Sequence, residues 1–324
     1  MSTEPIAWRR ALIRPSPALR KAIVANLGFL VMVTIWGAMF PALERILKTW
    51  DVFSATAGRH TLAVIALLAV LSIRERRIPV HRRLPWLRLL LLGFFGMSVT
   101  SLLTTLSVYF SSGASAAIAS ATNPITSAIT ARLLQRVPLV PGIVIGSVLS
   151  TAGGLIAIVG DTGGGVELRG GELLIIVANI LWTWYSMMAQ RWLAGYSQLH
   201  ITGLTALTGL IGLYAIIGVA GVTGMAEFRI DLSLEPVALL LFAGAISVAV
   251  GNSLWHFGVS RVGVTIAAMY NNLIPVVAVV IAFWAGTKPT AAQLVGAAVI
   301  IAGVLYAQGM ALRRAPAQAA AVEA

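Results

Sequence analysis

Three asparagines and two prolines stand deep inside apolar runs of this chain: Asn123 beside Pro124, and Asn271 and Asn272 just before Pro275. A proline within a helix lacks an N–H and clashes with the carbonyl four residues earlier. The carbonyls of Ser120 and Asn271 are therefore expected to lose their helical partners. Irregular backbone at such depth is tolerated beside protein or a watery cavity. A packing kink is the plain alternative, but the two interruptions fall at corresponding places, which favours a cavity with Pro124 and Pro275 as helix breaks or hinges. The three asparagines are then the first choice of groups to touch a solute, with Asn179 and Asn252 in other runs as further candidates.

Aromatic residues accompany them. Trp36 and Phe40 are one turn apart, Trp182, Trp184 and Tyr185 cluster, and Trp255 and Tyr270 join the set. Tryptophan at bilayer interfaces accounts for Trp50, Trp86 and Trp192 near the ends of runs, and less well for Trp36, Trp182 and Trp255. Aromatic walls with a few amides suit an amphipathic organic solute better than a bare metal ion. Arg59, followed by His60, is the one charged side chain well inside an apolar run. Its guanidinium is suited to fork onto a carboxylate or phosphate of a solute; the rival role is structural, satisfying broken-helix carbonyls or reaching outward. No Asp or Glu lies mid-way along a run, which argues against a carboxylate relay. His60 and His256 titrate near neutral pH when unperturbed and are the candidates for proton coupling, against the blander role of hydrogen-bonded bystanders.

The elements that must position these groups are read from composition. The 324 residues are 58% hydrophobic and 10% charged, with a mean hydropathy of +0.90. Soluble domains carry roughly 25% charged residues, so a water-soluble fold is excluded. Ten apolar runs of near-spanning length are predicted at 22–43, 53–73, 87–108, 115–134, 139–159, 171–190, 201–222, 236–257, 263–284 and 290–309. Arg9-Arg10 stands apart from the first run, which is too long for a signal segment and is read as a retained helix. With no cysteine, disulfides, thiolate metal sites and thiol nucleophiles are excluded together, and no cofactor or metal is expected.

The net charge of +12 follows membrane topology and not nucleic-acid binding. Of 23 basic residues, 17 fall in alternate loops and the tails, including Arg20, Lys21, Arg74, Arg88, Arg132, Arg191, Arg261 and Arg313. The opposite loops hold five, with most of the acids. Both termini are thus expected in the cytoplasm, with residues 1–21 as a basic leading segment and 311–324 as a tail. The expected location is the cell membrane, a bacterial inner membrane, with the bilayer and a small-molecule substrate as partners.

Features recur at an offset of about 150. Trp36 and Trp182 are each followed nine residues later by arginine, Pro124 answers Pro275, and Gly146 and Gly153 answer Gly296 and Gly303. Two five-helix halves are expected, 22–160 and 161–310, and an odd number of helices per half makes the repeat inverted. Polar stripes point inward from the third span (Thr100, Thr104, Ser107, Ser111), the fourth (Ser120, Asn123, Ser127, Thr130), the sixth (Asn179, Trp182, Ser186, Gln190) and the eighth (Ser247, Gly251, Trp255). For the Ser and Thr members, interhelical hydrogen bonding is explanation enough. The fifth and tenth spans carry small residues at close-packing spacing and serve as scaffold or as a homodimer contact.

These residues resemble the drug/metabolite transporter superfamily, specifically its EamA-type members. The resemblance is carried by Trp36-Gly37 with Phe40, Arg59, Pro124 after a small-residue start, Gly146 and Gly153, then Trp182, Pro275, Gly296 and Gly303. It implies ten helices in two homologous halves and a cavity formed by helices one to four and six to nine. It also implies transport, often export, of amino acids or other small metabolites, working by alternating access. Members commonly carry a Gly-Glu pair before the last helix, where this chain has Gly286-Thr287-Lys288-Pro289; Arg136-Val137-Pro138 in the first half also lacks an acid. Two other classes stay open on sequence: an intramembrane enzyme acting on lipid-linked substrates, and a non-transporting receptor or assembly partner.

Overall fold

The computed structural model describes residues 17–75, 80, 83–136, 141–161, 170–284 and 290–323. The leading Arg9-Arg10, Arg14 and the Gly286–Pro289 stretch lie outside the described residues. What is described is helical throughout. The helical segments join into ten rods: α1 (Pro17–Ile46), α2 (Val52–Glu75), α3 (Trp86–Phe110), α4 (residues 113–135), α5 (Pro141–Asp161), α6 (Gly171–Trp192), α7 (Gln198–Val222), α8 (Leu234–Val262), α9 (residues 264–284) and α10 (Ala291–Glu323).

Six of these rods, α1, α2, α3, α6, α7 and α8, contain unbroken stretches long and apolar enough to cross a membrane. Two others fall short for a physical reason. A 3-10 turn, Ser120–Thr122, divides α4 into Gly113–Ala119 and Asn123–Gln135, and another, Asn271–Leu273, divides α9 into Val264–Tyr270 and Ile274–Trp284. The prolines expected in mid-helix therefore stand at the start of a second segment, Pro124 and Pro275 each being its second residue. The carbonyls of Ser120 and Asn271 are not orphaned as expected: the tighter turn gives them the N–H groups of Asn123 and Ile274. Two longer rods are widened instead. α3 runs as π-helix over Leu92–Val99 and α8 over Phe242–Gly251, again about 150 residues apart.

Large apolar side chains cover the outside, among them Ile65, Leu87, Leu133, Leu173, Leu305 and Trp284. Contiguous exposed apolar surface of this kind is rare on a protein that meets water. Polar side chains are turned inward, where many Ser and Thr hydroxyls return to the carbonyl four residues back, as Thr56 does to Val52 and Thr202 to Gln198.

α5 and α10 lie antiparallel and share a face of small residues. A Cβ placed on Gly146 would stand 2.5 Å from the Gly303 carbonyl oxygen, one on Gly303 would stand 2.6 Å from that of Gly146, and one on Gly153 would stand 2.6 Å from that of Gly296. Ser150 Oγ also donates to the Ile300 carbonyl at 3.4 Å. These glycines thus spend their close-packing face within the chain.

At the α1–α2 turn, Asp51 caps α2 by accepting the N–H groups of Phe53 and Ser54 at 2.9 and 3.0 Å, and its other oxygen takes the Arg229 N–H at 2.8 Å. Trp50 donates to the Asp231 carbonyl at 2.8 Å, so the α7–α8 connection is strapped across this end. The Ser233 N–H holds the Asp231 carboxyl below its usual range. Arg45 and Glu235 form an exposed ion pair at 3.5 Å, of a kind that contributes at most about 1 kcal/mol.

Candidate functional site

The matched irregularities surround one internal cavity of about 120 Å³. A single water needs about 10–15 Å³ by a comparable measure, so the space holds several waters or a small organic molecule. Its lining comes from α1, α2, α3, α4, α6, α8 and α9. None of it comes from α5, α7 or α10 among the described residues. The resemblance had included the seventh helix, but α7 packs behind the site: Ser98 Oγ on α3 donates to the Gly209 carbonyl at 2.5 Å and Thr208 Oγ1 to that of Leu89 at 2.8 Å.

α1 supplies Trp36, Met39 and Phe40. The Trp36 indole donates to the Ser247 carbonyl in the π-helical stretch of α8 at 3.2 Å, and reaches it because Gly251 has no side chain; a Cβ there would lie 2.4 Å from Nε1. Trp36 and Trp182, the repeat-matched pair, meet edge to face with centroids 5.7 Å apart. The Trp182 Nε1–H is buried and has no acceptor.

α2 supplies Arg59 and His60. Arg59 is 3% exposed and bonds to Ser101 through both the hydroxyl and, at 3.3 Å, the carbonyl, with a third contact to Met39 Sδ at 3.2 Å. His60 Nδ1 stands 3.4 Å from the same hydroxyl. The broken-helix carbonyls that could have been its structural partners are not among its contacts. No carboxylate faces the guanidinium among the described residues, and its Nε–H has no acceptor. A buried charge without a counter-charge costs several kcal/mol. An anion entering the cavity would relieve that cost.

From α4 and α6, Asn123 Nδ2 donates to Asn179 Oδ1 at 3.1 Å, while Asn179 Nδ2 reaches the Ser120 carbonyl at 3.5 Å and Thr122 Oγ1 at 3.3 Å. Asn271 also lines the cavity, and the Oδ1 atoms of Asn123 and Asn271 are buried without a donor. Each such acceptor costs about 1–3 kcal/mol when nothing bonds to it. Asn252 lines the cavity from α8, its amide 3.9 Å from Met97 Sδ.

Five residues singled out by sequence sit behind the lining. Trp255 is fully buried, donating to Ser186 Oγ at 2.9 Å and packing on Trp36 at 5.7 Å. Tyr270 stacks on Phe29 at 4.4 Å and donates to Asn26 Oδ1 at 2.7 Å. Tyr185 O–H lies 2.8 Å from both Thr205 Oγ1 and His256 Nε2, and Gln190 Nε2 lies 3.4 Å from His256 Nδ1. Asn272 is buried outside the lining, its Oδ1 also without a donor. Tyr185 and Trp255 pack on the lining residue Trp182 at 5.1 and 5.9 Å, as a second layer under the cavity. Tyr185→Phe would leave His256 Nε2 without its partner, so a stability loss of about 1–3 kcal/mol is expected, read as a lower midpoint in thermal unfolding of the purified protein. No change would mean that water replaces the hydroxyl.

Sequence reading missed Met39, Met97, Ser101, Ile175, Val248 and Ile274. Ser101 carried a usable signal, being four residues from Thr105 on a polar face; the helical period through α3 selected Thr100 and Thr104, which line the cavity beside it.

A helical membrane protein whose paired helix interruptions border a largely apolar cavity with a few polar groups has the build of a multi-pass transporter. The comparisons with known proteins agree. The chain belongs to the EamA-like transporter family, which it matches twice, over residues 23–159 and 169–307, and so to the drug/metabolite transporter superfamily. It is 26% identical over 293 residues to the uncharacterized transporter YyaM of Bacillus subtilis, covering 88% of this chain and 92% of that one. It is 27% identical over 288 residues to a probable terminal-alkyne amino-acid exporter of Streptantibioticus cattleyicolor, covering 89% and 93%. A crystal structure shares the fold with a TM-score of 0.71 at 19% identity, over 90% of this chain and 99% of that one. The protein is a multi-pass membrane transporter, and the enzyme alternative falls with that family membership.

Proposed function

We propose that this transporter is a secondary carrier that exports small amphipathic metabolites, amino acids or related organic compounds, by alternating access at the cavity. The carrying observation is the pairing, in one cavity with aromatic walls, of a buried arginine lacking a carboxylate with asparagine oxygens lacking a donor. Trp36, Phe40 and Trp182 form the walls, Arg59 receives the anionic end of the solute, and Asn123, Asn179, Asn252 and Asn271 line its polar face. The named activity of the Streptantibioticus relative supports the solute class.

In this reading ten helices cross the bilayer as two inverted halves with both termini in the cytoplasm. Support comes from the loop charges, from the antiparallel pairing of α5 with α10, and from the breaks shared by α4 and α9. Pro124 and Pro275 are the hinges about which the halves exchange shape. Tyr185, Trp255, Tyr270 and His256 brace the cavity floor and do not touch the solute.

The test is counterflow into proteoliposomes against a panel of amino acids and organic anions. Accumulation of a defined class is expected, and Asn271→Ala should reduce it at least tenfold while the protein still inserts. A panel that yields no accumulation of any solute would remove the transport assignment for this class; full activity in Asn271→Ala would remove that residue from the site.

A further inference from the structure

The break in α4 fixes the direction of a chain of amides. Pro124 has no N–H, so beyond the Asn123 N–H the Ser120 carbonyl keeps a second lone pair for a side-chain donor, and Asn179 Nδ2 approaches it at 3.5 Å. A carbonyl only accepts, which commits the NH2 of Asn179 to α4 and turns its Oδ1 toward Asn123. That oxygen takes Asn123 Nδ2 at 3.1 Å, leaving Asn123 Oδ1 as the free end of the chain. Asn271 presents a second oxygen without a donor, from the 3-10 turn of α9 that packs against the 3-10 turn of α4. Both asparagines are 3% exposed and both line the cavity, as do the indoles of Trp36 and Trp182. The sequence of hydrogen bonds therefore fixes an acceptor at Asn123, beside the acceptor of Asn271, whereas Arg59 elsewhere in the lining offers only donors.

We propose that the crossing of α4 and α9 is a subsite for a primary ammonium group, held by Asn123 Oδ1 and Asn271 Oδ1 with the Trp36 and Trp182 rings beside it. An ammonium has three donors and no acceptor, and aromatic faces attract it. The inference rests on the cavity being the solute site and adds its polarity: ammonium toward α4 and α9, anion toward α2 and α3. Neutral oxygens suit a carrier, since a fixed carboxylate here would pair with Arg59 when the solute leaves.

The experiment is calorimetric titration of the full-length protein in nanodiscs with leucine, 4-methylpentanoate, which lacks the amine, and 2-hydroxy-4-methylpentanoate, which replaces it with a neutral donor. The same three are compared in the phenylalanine and glutamine series. Hydrogen bonds to a charged group correspond to roughly 10- to 100-fold in affinity. The amino acid of the series that binds is expected to exceed both analogues by that factor. Asn271→Ala should erase the advantage while changing the deaminated acid less than about threefold. Asn179→Ala removes the acceptor of Asn123 Nδ2, lets the Asn123 amide turn its donor to the cavity and should narrow the same ratio, which a general loss of fold would not do. Equal affinity of the amino and hydroxy acids would overturn the ammonium subsite and leave the solute site standing. Failure of all three series to bind would overturn both.

Discussion

Gly146→Ala is expected to destabilise the protein by about 3 kcal/mol or more, because the added methyl meets backbone and not a flexible side chain. Its Cβ would lie 2.5 Å from the Gly303 carbonyl oxygen and 2.5 Å from Ala307 Cβ, so α5 and α10 must separate along their whole shared face. Gly218 in α7 supplies the control, since a Cβ there meets nothing within 4 Å. A helical Gly→Ala change in open space gains up to about 1 kcal/mol from backbone entropy. One chemical change is thus expected to act with opposite signs at the two positions. Thermal unfolding of detergent-purified variants, followed by size-exclusion chromatography, checks it. Equal midpoints for the two variants would mean that α5 and α10 are not held by this contact in the bilayer protein.

Arg59→Gln is expected to have the largest effect on transport. Glutamine keeps a donor for Ser101 and removes the charge, so the cavity should lose its preference for an anionic end. A charge-assisted pair in a water-poor site contributes about 1.5–3 kcal/mol, or roughly 10- to 100-fold in affinity. Uptake of an amino acid should fall by that factor, while its amide, which lacks the carboxylate, should be carried at a rate near the wild-type value. Equal loss for both solutes would make Arg59 a brace between α2 and α3 through Ser101, and not a ligand.

The positions of the rods were readable because hydrophobic length marks a span directly, and every predicted run overlaps a rod. The breaks in α4 and α9 were readable because proline announces them. The π-helical stretches were not, since no residue type marks the shift from four to five residues between bonded groups. Met97, within the π-helical stretch, and Ser101 join the expected Thr100 and Thr104 in the cavity lining. The aromatics failed differently. Size and spacing placed Tyr185, Trp255 and Tyr270 near a pocket, and they are near it, but each polar tip is bonded to Thr205 and His256, Ser186 or Asn26, so that no tip is left for a solute. Whether a ring is a wall or a backing layer depends on partners supplied by other helices, which no local pattern contains.

The α5–α10 seam has a form that bears on ancestry. Adding the repeat offset of 150 to the pair Gly146 and Gly153 yields Gly296 and Gly303, while the contacts join Gly146 to Gly303 and Gly153 to Gly296. Exchanging the two halves therefore maps the seam onto itself, which is the property of an isologous subunit interface. Two separate copies of a single five-helix chain carrying this surface would find it equally complementary, provided they entered the bilayer in opposite senses. The seam has the self-matching form of a homodimer contact, carried here within one polypeptide.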